Sequence, residues 1–421
     1  MKNILTFIVV FACSFIDLRA RAQSDDLSKV EGVYLQLLSD QPLSDELKAH
    51  VDQFDKAVPL WLAYFEQPLS AVEGWRMTGY LMKDKVAFQQ RGLIPGSLPN
   101  FPNGYSVGNK LWVMNQPSPY YTTHLLLHEG VHGLTAHLFG GSGPPWYMEG
   151  IAEFLATHES SSDDFQIGVV PRSRDESPYW GRIGLIAQRR QEKKVPTIES
   201  VMRYSETAHR EVEPYAWSWA AAVLMEMYPE YRTAFRDAAQ SGSDASPQFT
   251  RRFYQSFKDQ WPILAARWAL LSHDIDYGFD RERNQVALKM DLPLLTSNWS
   301  RVDLEANHGW QSAPAKVRKG QQIEVKASGQ YQLSEDPKWK ATAEGVTLTY
   351  VRGVPLGRLI ACFVSETPSE QRYQITSERF SVGEGTQLTS PVDGWLLFKV
   401  NDHPNDLHNN QGRLIVELRG N

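Results

Sequence analysis

Apolar positions recur along this chain with two different periods, and the change falls near residue 285. Before it, "DELKAHVDQFDKAVPLWLAYF", "EPYAWSWAAAVLMEMYPEY" and "SPQFTRRFYQSFKDQWPILAARWALLSH" repeat apolar side chains at steps of three and four. That spacing predicts helices with one buried face. A Gly- and Pro-dense stretch, "GLIPGSLPNFPNGYSVGNK", follows the first of them and leads into "LWVMNQ", which reads as a strand. From about residue 300 the runs shorten to "QQIEVKASGQYQL", "GVTLTYV", "GRLIACFV", "GWLLFKV" and "GRLIVEL", separated by turn residues. Several alternate apolar and polar side chains, the pattern of a β-sandwich or barrel. The pattern predicts a multidomain chain: a mostly helical α+β domain over 23–285, a linker over 286–300, and an all-β sandwich over 301–421.

Residues 1–22 form a separate class. Lys2 is followed by the apolar run "ILTFIVVFACSFI" and then by Ala20-Arg21-Ala22, small residues at the two positions a signal peptidase reads. The expectation is an export leader cleaved near Ala22, leaving Gln23 first and the protein in the periplasm or outside the cell; the rival reading is an uncleaved membrane anchor. No other stretch approaches the ~20 apolar residues of a membrane-spanning helix. Cys13 leaves with the leader and Cys362 remains alone, so core size rather than a disulfide must stabilise the mature chain. With 421 residues and 42% hydrophobic content the chain can build such a core. The formal net charge is −6, and the leader, with Lys2, Arg19 and Arg21 against Asp17, carries +2 of it, so its removal leaves −8. An acidic balance gives no electrostatic reason to expect nucleic acid as a partner.

Four histidines, His124, His128, His132 and His137, stand in the otherwise greasy helix "YYTTHLLLHEGVHGLTAHLFGG". Ser118 is its expected N-cap, Pro119 its first residue, and Gly140-Gly141 its stop. Residues four apart share a face, so His128 and His132 point the same way and can bind one metal ion. Glu129 borders that face, about 100° round the helix. This H-E-x-x-H arrangement suits zinc, with the carboxylate as general base for a zinc-activated water. The pair His124/His128 has the same spacing, but Leu125 stands where the acid is needed. His124 and His137 read as packing or surface residues. Gly130 and Gly133, mid-helix, fit either close approach of a ligand or simple crowding by a neighbouring helix.

A catalytic zinc takes a third protein ligand. In "GPPWYMEGIAEFLATH", Pro144-Pro145 can open a second helix on which Glu149 and Glu153 share a face. Glu149 can reach the metal, and Glu153 can accept a hydrogen bond from the far nitrogen of a zinc-bound imidazole. His128-Glu129-x-x-His132, then sixteen residues, then Glu149 within "WYMEGIAEF" resembles the gluzincin zinc metallopeptidases over about 121–157. The resemblance implies His128, His132 and Glu149 as zinc ligands, Glu129 as catalytic base, and Glu153 as the acid behind a ligand. It also implies an oxyanion donor some sixty residues on, for which Tyr215 and His209 are candidates. A further implication is an edge strand that pairs with substrate backbone just before the histidine helix, where "KLWVMNQ" (110–116) stands; that segment reads equally as a core strand. The absence of a G-A-M-E-N type motif argues for an endopeptidase or an unfamiliar substrate.

In the last strands, "FKVNDHPNDLHNNQGRLIVEL" offers Asp402, Asn409 and Asn410 as oxygen donors, which reads as a polar turn or a Ca²⁺ site. The module resembles the calcium-dependent galactose-binding lectin-I fold through "NHGWQSAPAKVRKGQQIEVKASGQY", "VPLGRLIACF" and "VNDHPNDLHNNQG". That likeness implies Ca²⁺ held by side chains of Asp402, Asn409 and Asn410, by the backbone of Asp406, and by a carbonyl near Leu333. It also implies a glycan partner, although no sugar-gripping loop is recognisable within 334–345. The expectation is an exported zinc metallopeptidase acting on peptides or proteins. The rivals are an inactive glycan-binding protein with a structural zinc, and a zinc amidase acting on cell-wall peptides.

Overall fold

The protein is described here from a computed structural model, covering residues 27–161, 164–205, 207–208, 211–366 and 379–421. The expected leader and His209 lie outside the described residues. The chain is an N-terminal α+β region followed by a C-terminal β-rich, sandwich-like region. It divides into two compact units, Met1–Ser142 with Ala152–Val169 and Ser177–Trp180, and Gly143–Ile151 with Val170–Glu176 and Gly181–Asn421. No helix among the described residues is long and apolar enough to cross a membrane.

The first unit is built on a five-stranded sheet ordered β1 (Ser28–Glu31), β2 (Leu35–Ser39), β3 (Met77–Met82), β5 (Lys110–Met114), β4 (Gly104–Val107). β2, β3 and β5 run parallel, and β1 and β4 close the two edges antiparallel. "LWVMNQ" is therefore a core strand: Leu111, Trp112 and Val113 are buried, with a partner strand on each side. The edge beside the histidine helix is β4, a strand hidden in the Gly- and Pro-dense stretch. Its shortness and Gly104 leave no periodicity to detect.

Helix α1 (Asp45–Tyr64) starts where the Ser44 side chain accepts the Leu47 N–H. Its buried stripe includes Val51, Phe54, Val58 and Trp61. After α2 (Lys85–Gln90), helix α3 (Pro119–Phe139) packs on α1 and on β3. Two glycines set the approach. A Cβ on Gly130 would stand 2.4 Å from Phe54, and one on Gly133 would stand 2.3 Å from Met77. Crowding by neighbouring elements, not a ligand at the backbone, is their reason. Helix α4 (Pro145–Ala156) and the short hairpin β6 (His158–Ser160) and β7 (Phe165–Ile167) follow.

The second unit continues through α5 (Arg182–Gln191), α6 (Ile198–Val201), α7 (Glu213–Met227), α8 (Pro229–Asp237), α9 (Pro247–Ser256) and α10 (Trp261–Asp274). Helix α7 is buried from Ala216 onward, which is why its sequence is apolar all round. A Cβ on Gly150 of α4 would meet the Ser218 carbonyl oxygen at 2.8 Å, so glycine lets α7 pass close.

The sandwich begins at β8 (Ser300–Glu305) and continues with β9 (Gln311–Val317) and β10 (Gln322–Ser328). β11 (Tyr331–Gln332), β12 (Lys340–Ala341) and the hairpin β13 (Val346–Val351) and β14 (Val354–Leu356) come next, then β15 (Leu359–Ser365) and β16 (Phe380–Ser381). β17 (Gly385–Thr389), β18 (Gly394–Val400) and β19 (Gln411–Gly420) complete it. One sheet runs β12-β11-β19-β10-β17 with β8 paired to β19, and the other runs β16-β15-β18-β9. Phe363, Leu396 and Phe398 fill the space between the sheets with Leu304, Val325 and Val416. The opposite face of β15 and β18 carries Ile360, Cys362, Trp395 and Leu397 against Ala266 and Leu270 of α10. Burial on both faces explains why "GWLLFKV" is an unbroken apolar run.

Candidate metal centre

Helix α3 is placed as its ends dictate. The Ser118 side chain accepts the Tyr121 N–H, Pro119 opens the helix, and Gly140 closes it at φ 72°, the left-handed region glycine favours. One turn of this frame holds the metal-binding pair. His128 Nε2 and His132 Nε2 face each other at 3.1 Å. Two nitrogens bound to one tetrahedral zinc at 2.0–2.1 Å would stand about 3.3 Å apart. The rings are therefore already spaced to share an ion. His128 is 5% exposed and His132 is half-buried, so one ring lies deep and the other opens toward solvent.

Helix α4 supplies the acids. It is one continuous helix, although the division between the two units falls within it, after Ile151. Glu149 and Glu153, both buried, stand one turn apart on it. The ligand atoms of His128, His132 and Glu149 all lie within 4.8 Å of one another, a buried His/Glu cluster consistent with a catalytic zinc site. The donor set, two imidazoles and a carboxylate, is the one zinc takes when a fourth position stays open for chemistry.

Glu153 lies behind the pair. Its Oε1 is 3.4 Å from His128 Nδ1, the nitrogen opposite the one facing His132. Its Oε2 is 3.3 Å from His124 Nε2 and accepts the Trp180 indole N–H at 3.3 Å. The imidazole contacts are ion-pair distances rather than well-aligned hydrogen bonds. His124 is fully buried, as a packing residue would be, and its ring also faces the acid at 153, which was not visible in the spacing. His137 is a surface residue, exposed at 5.9 Å from the Trp75 ring, with Nε2 3.0 Å from the Ala71 carbonyl oxygen.

Glu129 is 7% exposed and is held by β4. Ser106 Oγ donates to its Oε2 at 2.7 Å, and a Cβ at Gly104 would stand 2.7 Å from its Oε1. Neither Gly104 nor Ser106 follows from the motif; the only signal was their place in a turn-rich run just before the helix. Tyr215 lies half-buried in the first turn of α7, with the Arg182 guanidinium 5.6 Å from its ring centroid.

In the C-terminal module the loop 401–410 brings two of its expected oxygen donors into direct contact. Asn410 Nδ2 donates to Asp402 Oδ2 at 2.8 Å and to the Ala306 carbonyl at 3.2 Å. Burial raises the Asp402 carboxyl above its ordinary range, against the lowering pull of Asn410. The Oδ1 atoms of Asn409 and Asn410 are buried without a hydrogen-bond partner among the described residues. Asp406 is exposed, and its carbonyl accepts the Asn409 N–H at 3.2 Å.

No family model matches the sequence, and no curated protein matches it. Among solved structures, an EclA N-terminal domain described as a PllA-like lectin shares 15% identity over 29% of this chain and 96% of that one, with a TM-score of 0.23. IMPa from Pseudomonas aeruginosa in complex with an O-glycopeptide shares 11% identity over 60% of this chain and 25% of its own, with a TM-score of 0.18. The IMPa metallopeptidase in complex with T-antigen shares 10% identity over 85% of this chain and 38% of its own, also at 0.18. At these scores the likenesses carry no weight in assigning a fold or an activity.

Proposed function

We propose that this protein is a zinc-dependent peptidase whose metal is held by His128, His132 and Glu149. The observation that carries the reading is the convergence of two imidazole Nε2 atoms, 3.1 Å apart, on a cluster completed by Glu149 within 4.8 Å. Bound there, zinc supplies Lewis-acid polarisation of a carbonyl and a lowered pKa for water. The chain's own residues do the rest. Glu129, fixed by Ser106, takes a proton from the attacking water and returns it to the leaving amine. β4, as the sheet edge beside Glu129, offers the backbone groups with which an extended peptide pairs. Glu153 orients the His128 ring. Tyr215 is assigned the oxyanion-donor role on its place in the sequence alone.

The sandwich is proposed as an accessory module, holding Ca²⁺ through Asp402, Asn409 and Asn410 with the Asp406 carbonyl, and docking the enzyme to a glycan. The orphaned Oδ1 atoms of Asn409 and Asn410 support the ion. The reading is tested by elemental analysis of the purified mature chain together with cleavage of a mixed peptide library by the wild type and by Glu129→Gln. Stoichiometric zinc in both, with cleavage lost by ~10²–10⁴-fold in the variant, is the expected result. Zinc in both with no cleavage by either would instead favour a glycan-binding protein with a structural metal. Digestion of peptidoglycan but not of protein would favour the amidase.

A further inference from the structure

His124 stands one turn before His128 on α3, fully buried, and nothing in the proposed chemistry uses it. Its Nδ1 lies 3.1 Å from the carbonyl oxygen of Ala156, the last residue of α4. A carbonyl only accepts, so Nδ1 carries its proton there. Its Nε2 faces Glu153 Oε2 at 3.3 Å. The ring therefore bridges the Glu153 carboxylate and the terminal carbonyl of the helix that carries it. Glu153 is 1% exposed, so its carboxylate oxygens depend on the groups packed around them for partners.

His124, His128 and Glu153 also lie within caging distance of an ion, their ligand atoms within 4.8 Å of one another. Two features argue against a second metal. Trp180 aims an N–H donor at the same carboxylate oxygen, where a cation needs acceptors. And His128 would have to bind an ion through each nitrogen, giving up the proton that ties its Nδ1 to Glu153. The cluster is a chain of donors and acceptors rather than a cage.

We infer that His124 is a positioning residue for the metal centre, acting through Glu153 on the His128 ring. The inference deepens the zinc reading and rests on it. Held between His124, Trp180 and its own helix, the Glu153 carboxylate stays where His128 Nδ1–H finds it. A carboxylate 3.4 Å from Nδ1 favours the proton on that nitrogen, which leaves the Nε2 lone pair presented beside His132.

The test uses the full mature chain and reads the zinc dissociation constant by chelator competition, with the thermal midpoint of the apo-protein as a folding control. His124→Gln places an amide N–H about where Nε2 stands and keeps the donor toward Glu153. His124→Asn places one about where Nδ1 stands and keeps only the tie to Ala156. The expected result is zinc affinity within ~3-fold of wild type for Gln and ~10–100-fold weaker for Asn, as for other groups that orient a ligand imidazole. The opposite order, with Asn keeping its affinity and Gln losing it, would show that His124 only ties α3 to the end of α4. If the Asn variant does not fold, the Gln variant decides alone, and a loss of ~10-fold or more there overturns the inference. Wild-type affinity in both variants sinks this inference and leaves the zinc reading standing. A wild-type chain that binds no zinc sinks both.

Discussion

Two buried polar clusters in this molecule look alike in a list of residues and differ in chemistry. In the second unit, Asp274 at the end of α10 is 3% exposed and pairs with Lys399, Arg379 and Arg352, the last at 3.3 Å. Burial alone would raise its carboxyl, but the three cations hold it well below the ordinary carboxylate range. Burial in turn pulls the Lys399 ammonium down to about 8, against the attraction of Asp274. In the histidine cluster, by contrast, nitrogens and carboxylates converge on a shared point between His128, His132 and Glu149. The first cluster contains its own counter-charges and is complete as protein. The second assembles acceptors around a place suited to a cation from outside. A buried acid ringed by basic side chains is satisfied by the protein itself, whereas one that meets two imidazoles at a common point is consistent with a zinc site.

The comparison breaks most visibly at Glu149. Glu149→Gln removes the carboxylate that completes the cluster. Zinc affinity should fall by more than the ~10–100-fold that follows loss of a supporting group, while the apo-protein melts within a few degrees of wild type. Chelator competition and calorimetry measure the two. Unchanged zinc affinity would remove Glu149 from the ligand set.

Asp274→Ala should do the reverse, leaving zinc affinity intact and costing about 3–5 kcal/mol of stability, because Lys399 is then buried without its partner. Urea unfolding reads that loss. The same pair predicts a pH dependence. Unfolded, the Asp274 carboxyl takes up a proton near its ordinary value of about 4. Folded, it resists protonation, so its stability is fully present above that pH and is lost as the pH falls through the lower folded value. The urea midpoint of the wild type should therefore drop more steeply between about pH 4 and 2 than that of Asp274→Asn. Parallel slopes would mean the carboxyl titrates alike in both states.

What the sequence made legible was whatever a local period can encode. The helices, the alternating strands and the i,i+4 pairs 128/132 and 149/153 all follow from side chains facing one way within a single element. The supporting contacts were opaque because they join elements distant in the chain: Ser106 to Glu129, and Trp180 to Glu153. β4 escaped because a four-residue strand holding Gly104 carries no alternation, and "LWVMNQ" stayed open between edge and core because an apolar run reads the same in either place. The double burial of β18 was legible as a continuous apolar run, but its cover by α10 was not.

The β4 contacts give the next smaller effects. A methyl at Gly104 would sit 2.7 Å from Glu129 Oε1, so Gly104→Ala must displace that carboxylate, the proposed base, and a shift of about 1 Å is worth up to ~10²-fold in kcat. Ser106→Ala removes one hydrogen bond from the Glu129 carboxylate and should lower kcat about tenfold, ~1.4 kcal/mol. Neither change touches His128, His132 or Glu149, so zinc content should be that of wild type in both. Loss of zinc in either would mean that β4 supports the metal cluster rather than the base.

The smallest effect tests whether the contrast extends to a third cluster. In the loop 401–410, Asp402 is bonded among the described residues by the Asn410 amide and the His403 backbone N–H at 2.7 Å, with no basic side chain hydrogen-bonded to it there. The Oδ1 atoms of Asn409 and Asn410 are buried acceptors with no donor among the described residues. The proposed Ca²⁺ site would place this loop with the second kind, since oxygen-only donors suit Ca²⁺ rather than zinc. Adding Ca²⁺ at a hundred times its dissociation constant should stabilise the module by ~2.7 kcal/mol, a rise of a few degrees in melting temperature. Asn410→Ala should abolish that rise without altering zinc affinity. A melting temperature indifferent to Ca²⁺ in the wild type would make the loop a polar turn, and would show that orphaned amide oxygens, unlike converging imidazoles and carboxylates, do not by themselves mark a cation site.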